Sequence, residues 1–72
     1  MSKEKFIKEC LKPLIVAALG NVIDVRYTNT GSYEIVTVTY ADKSGETQTI
    51  NVNVTGGSLL ALTKDVVGRL LR

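Results

Sequence analysis

Residues 47–55 read Thr47-Gln48-Thr49-Ile50-Asn51-Val52-Asn53-Val54-Thr55. Ile50, Val52 and Val54 alternate with Thr49, Asn51 and Asn53, the period of two that a strand with one buried face requires. The same alternation recurs upstream. In Tyr33–Ala41, Val36, Val38 and Tyr40 oppose Ile35, Thr37 and Thr39. In Val22–Thr28, Ile23, Val25 and Tyr27 oppose Asp24, Arg26 and Thr28. β-Branched and aromatic residues suit such half-buried strands. The connections Asn29-Thr30-Gly31-Ser32 and Asp42-Lys43-Ser44-Gly45 are short and rich in residues that turn tightly. Strands over 22–28, 33–41 and 47–55 are therefore expected to form a three-stranded antiparallel meander.

Outside this block the period changes to that of a helix. Ser2 is a candidate N-cap for a helix over 3–19, in which Phe6, Cys10, Leu14 and Ala17 form one apolar row. Ile7, Leu11, Ile15 and Ala18 form a second row beside it. Pro13 removes one backbone donor and collides with the carbonyl four residues back, so a kink is expected near Glu9–Lys12. Gly20-Asn21 ends the helix. Beyond Gly56-Gly57, Ser58 can cap a second helix over 58–71, with Leu59, Leu62, Val66 and Leu70 along one side. Gly68 inside this pattern is unfavourable relative to alanine by about 1 kcal/mol, and close backbone packing is one reason to keep it. The expected fold is α+β: a two-layer α-β-β-β-α domain spanning residues 1–72, with both helices packed on one face of the sheet. The opposite face is then rich in threonine and asparagine, which suits water and is also flat enough for docking.

A chain of 72 residues holds one core and buries only about 60% of the surface its unfolded form exposes. Such domains lean on disulfides, metals or partner chains. A single cysteine, Cys10, rules out an internal disulfide, and the absence of histidine argues against a metal site. The net charge is +2. Lys3, Lys5, Lys8 and Lys12 outweigh Glu4 and Glu9 at one end, and Lys64, Arg69 and Arg72 outweigh Asp65 at the other. Between them the acids predominate. The apolar run Leu14–Leu19 is too short for a signal peptide or a membrane span, so a cytoplasmic protein with no membrane association is expected.

No residue pattern points to catalysis. Histidine, the commonest general base, is missing. Asp24 and Glu34 could meet across the first hairpin, but a working acid–base pair also needs burial or coupling. An enzyme would need a deep polar pocket at Tyr27, Tyr33 or Tyr40. Cys10, on an apolar row, reads as a buried structural thiol. Thr55-Gly56-Gly57-Ser58 enters a helix as anion-binding loops do, yet it lacks the lysine and spacing of a phosphate-binding loop. No cofactor is expected.

The order helix–three strands–helix resembles that of double-stranded-RNA-binding domains. The resemblance is one of topology. The family's Gly-Pro-x-His type loop is replaced here by Asn29-Thr30-Gly31-Ser32, and the lysine cluster opening its second helix by Ser58-Leu59-Leu60-Ala61-Leu62. The pattern itself points instead to surplus apolar surface on both helices. A helix apolar on all sides is normally covered on all sides. The leading expectation is a small non-enzymatic protein-interaction or regulatory module that self-associates as a homodimer, or binds another protein, through Leu14, Ile15, Leu19, Leu60, Val67 and Leu71. The alternative is a nucleic-acid-binding accessory protein using Lys5, Lys8, Lys12, Lys64, Arg69 and Arg72.

Overall fold

The computed structural model describes residues 2–71. The N-terminal helix runs through three consecutive segments: α-helical Lys3–Phe6, π-helical Ile7–Leu11 and α-helical Lys12–Ala18. Strands β1 (Val22–Asn29), β2 (Glu34–Ala41) and β3 (Thr47–Asn53) form an antiparallel sheet in the order β1-β2-β3. The C-terminal helix, Leu59–Leu70, completes the α+β fold. Arg72, one of the basic residues singled out above, lies outside the described residues.

The N-terminal helix begins where Ser2 Oγ accepts the backbone N–H of Lys5 at 3.2 Å. Pro13 does not break it. Proline has no N–H for the Glu9 carbonyl and its ring crowds that carbonyl. The chain absorbs both effects in a wider π turn just before the proline, closed by the Lys12 N–H returning to the Ile7 carbonyl. Only one apolar row is buried as a result: Ile7, Leu11 and Ile15. Phe6 and Leu19 pack against its margin. Cys10, expected in the core, is exposed, as are Leu14, Ala17 and Ala18. Two rows were expected, but a three-stranded sheet is narrow and one row covers the helix's share of it.

A second departure lies in β1. Val22 is paired with Tyr40 and Asp24 with Thr39, leaving Ile23 as the extra residue of a bulge. The bulge turns two successive residues outward. Val22 is buried in place of Ile23, which is 56% exposed. Strict alternation over Val22–Thr28 therefore holds only beyond the bulge, where Val25 faces Val38.

Val22, Val25, Val36, Val38, Val52 and Val54 join Ile7, Leu11 and Ile15 and the C-terminal helix's Leu62 and Val66 in one buried cluster. Aliphatic side chains alone make up this centre, so its stability rests on apolar contact and close packing. β3 stops at Asn53 rather than Thr55. The Asn53 side chain accepts the Thr55 N–H at 2.9 Å, and Gly56 turns the chain with φ +73°. Ser58 Oγ then accepts the Ala61 N–H at 3.1 Å and caps the next helix. A Cβ at Gly68 would meet nothing within 4 Å, so close packing does not account for that glycine.

Two substitutions test this core. Leu62→Ala is expected to destabilise the protein by about 3 kcal/mol in urea unfolding, whereas Leu60→Ala at an exposed site changes stability by less than about 0.5 kcal/mol. Gly68→Ala is expected to stabilise by about 1 kcal/mol, since the methyl group enters open space on a helix. A destabilising Gly68→Ala would mean that the backbone there is needed for something else.

Candidate functional site

The ends of the two helices converge on an apolar groove. Leu14, Ile15, Ala18 and Leu19 from the first helix face Val67, Leu70 and Leu71 from the second across a cavity of about 290 Å³. Every residue of this lining is aliphatic. Ile15 is 4% exposed and forms the floor, continuous with the core. Leu14 and Leu71 stand at 63% and 68% exposure, so the groove is open to solvent between two projecting leucines. Residues 13–23 carry no charge at all.

Five of the six residues expected to form a partner surface thus meet in one place: Leu14, Ile15, Leu19, Val67 and Leu71. Leu60 does not. It is 81% exposed near the opposite end of the C-terminal helix. Ile15 belongs to the groove but lies beneath it, in the core, so a partner would meet chiefly its neighbours. Sequence reading also passed over Ala18 and Leu70 as partner residues. Their helical spacing from Leu14 and from Val67 was the available signal.

The charged residues are organised differently. Glu34 Oε1 accepts Lys3 Nζ at 2.9 Å and the Gly56 N–H at 3.4 Å, while Oε2 accepts the Tyr27 hydroxyl. Lys3 Nζ also donates to the Val54 carbonyl at 3.2 Å. Donation from Tyr27 and then the Lys3 charge hold the Glu34 carboxyl below the usual range, against the opposing effect of burial. The same bond, which ionisation of the phenol would forfeit, pushes Tyr27 upward. The glycine-rich entry to the C-terminal helix therefore already has an internal anion. Gly56 N–H is directed to Glu34, and Gly57 N–H to the Val54 carbonyl at 3.2 Å.

Asp24 and Glu34 do not form a pair. Asp24 is opposite Thr39, and Glu34 is opposite Asn29 at the far end of the hairpin. Asp24 is instead bonded by Lys12 Nζ and by Arg26 Nε, each at 2.8 Å. These two cations, Lys12 first, lower its pKa to about 2. The cavity beside Tyr27, about 470 Å³, is lined by these paired charges together with Glu4 and Lys8. Asp42 is lowered likewise, first by the Ser44 hydroxyl and then by Gln48, and serves to close the second hairpin.

The basic residues fall into two groups. Lys5 and Lys8 are exposed on the N-terminal helix beside Glu4 and Glu9. Lys12 is committed to Asp24. Lys64 and Arg69 line a separate depression between the C-terminal helix and β3, with Asp65 among them. Among the described residues, no three of the types Cys, Asp and Glu come together as a metal site would require, and no helix is long and apolar enough to cross a membrane. The chain matches no protein-family model, no curated protein and no solved structure.

The ion pairs predict an acid dependence. A carboxyl group whose pKa is lower folded than unfolded stabilises fully above its unfolded value, near 3.8, and loses that contribution as pH falls toward about 2. Stability is therefore expected to fall between about pH 4 and pH 2. Asp24→Asn should flatten that slope while costing on the order of 1 kcal/mol at neutral pH, as befits partly exposed pairs. Urea titrations at a series of pH values measure both, and an unchanged acid slope in the variant would remove Asp24 as the cause.

Proposed function

We propose that this protein is a non-enzymatic interaction module that self-associates through the groove between its helix ends. The observation that carries the reading is the groove's wholly aliphatic lining, open between Leu14 and Leu71. Exposed apolar patches of this kind, continuous with a core, are where soluble proteins meet partners. The favoured occupant is a second copy. A two-fold interface sets a surface against itself, and a groove lined by aliphatic side chains alone presents apolar surface to its own copy. Each copy's projecting leucine would enter the other's groove and remove from water what a small core leaves outside.

The carboxylates favour binding over catalysis. Asp24, Glu34 and Asp42 all have lowered pKa values and fixed donors, so each is held ionised rather than poised to exchange a proton near neutral pH. The exposed Cys10 is in keeping with a reducing compartment, and we place the protein in the cytoplasm. The alternative, nucleic-acid binding through Lys5, Lys8, Lys64 and Arg69, keeps four exposed cations but gives up Lys12 to Asp24.

Size-exclusion chromatography with light scattering across a tenfold concentration range tests the proposal. The wild type is expected at twice the chain mass or more, and Leu14→Asp with Leu71→Asp is expected to lower that mass by removing the groove contact, without unfolding the chain, since both positions are exposed. A wild type at the mass of one chain throughout would end the self-association reading, and an unchanged mass in the double variant would move it away from the groove. Titration with duplex RNA or DNA near 50 mM salt tests the alternative, which requires affinity that falls steeply as salt rises.

A further inference from the structure

The two edges of the sheet are treated in opposite ways. β1 is protected. It carries the bulge at Ile23, the charges of Asp24 and Arg26, and the Lys12 ammonium beside them. Backbone pairing across β1 and β2 alternates, and the bond from the Thr30 N–H to the Tyr33 carbonyl fixes its phase. Val25 then turns its N–H away from β2, and the Asp24 carboxylate accepts that N–H at 2.9 Å. Bulges, charges and capped amides are the devices by which proteins keep edges from pairing with other chains.

β3 has none of them. Thr47–Asn53 contains no charged residue and no proline, and its register with β2 is unbroken. The bond from the Val54 N–H to the Glu34 carbonyl fixes the phase here, so Val52, Ile50 and Gln48 bond to β2. Thr47, Thr49, Asn51 and Asn53 then direct their N–H and carbonyl groups outward, and among the described residues these amides find no partner. Between the C-terminal helix and this strand lies a depression of about 570 Å³ lined by Val52, Asn53, Lys64, Asp65, Gly68 and Arg69.

We infer that β3 pairs edge to edge with β3 of a second copy, antiparallel about a two-fold axis through Ile50, to give one continuous six-stranded sheet. The phase fits. Centring on Ile50 sets Thr49 against Asn51 and Thr47 against Asn53, so every outward amide and carbonyl meets its complement. On the core side, half-buried Ile50 meets its own copy, and Val52 meets Gln48. The lack of charge singles out a second copy as the occupant: no residue of β3 can face a like charge under this symmetry. This surface is separate from the groove, so a chain using both would assemble beyond the dimer.

The test removes the groove first. Leu14→Asp with Leu71→Asp is expected to leave a dimer held by β3 alone. Adding Thr49→Lys and Asn51→Lys places lysine against lysine across the axis and is expected to give the mass of one chain. Adding Thr49→Lys and Asn51→Glu instead places opposite charges together and is expected to keep the dimer, with circular dichroism confirming the fold of each. By NMR, exchange of the Thr49 and Asn51 amides should slow at least tenfold from dilute to concentrated wild-type protein. A monomeric Leu14→Asp/Leu71→Asp chain, or edge amides that exchange as freely at every concentration, would overturn the edge pairing while leaving the groove reading intact. A wild type monomeric throughout would overturn both.

Discussion

The carboxylate of Glu34 ties together parts of the chain that the apolar core does not order by itself. It opens β2, yet its oxygens take bonds from Lys3 at the start of the N-terminal helix, Tyr27 in β1 and Gly56 beyond β3. Its backbone joins in, with the amide on the Thr55 hydroxyl at 2.8 Å and the carbonyl on the Val54 N–H at 2.8 Å. Aliphatic packing is non-directional and tolerates sliding. A charged acceptor with fixed donors does not, because each bond has a required length and angle. The position of the first helix over the sheet, and the turn that launches the second, therefore depend on one residue at the mouth of a hairpin.

What remains outside that framework is as informative as what it holds. Eleven aliphatic residues make the buried centre, while Leu14, Leu60, Leu71 and Ile23 stay in contact with water. In a chain this short the sheet is three strands wide and each helix can turn only one row toward it. Leu60 and Ile23 stand apart from each other and from the groove. Leu14 and Leu71, by contrast, flank a groove with Ile15 as its floor. The cations that could have formed a continuous basic face are divided between two sides of the molecule, and Lys12 is neutralised by Asp24.

The sheet shows the same division between spent and unspent surface. Asp24 neutralises its neighbours and caps an edge amide, so β1 is closed on chemical and geometric grounds together. β3 is uncharged, unbroken in register and paired on one side only. The contrast lies within a single small sheet, under one solvent and one overall charge, which makes it a property of these strands and not of the protein's general composition.

Much of the architecture is legible in the sequence by itself, because period is a local property. The alternation in Thr47–Thr55, the glycines at 31, 45 and 56 where φ is positive, and the caps at Ser2 and Ser58 each follow from a few neighbouring residues. The convergence of Leu14, Leu19, Val67 and Leu71 could be anticipated as apolar surplus, though not as a groove. Tertiary structure alone decided the rest. Whether Val22 or Ile23 faces the core depended on a bulge whose stability lies in the pairing with Tyr40 and Thr39. Whether Cys10 was covered depended on how a π turn before Pro13 aimed the helix at the sheet. Glu34 became the centre of a network only when residues 3, 27 and 56 were brought to it. Sequence period specifies which residues can share a face; which face is covered, and by what, is settled by contacts between elements distant along the chain.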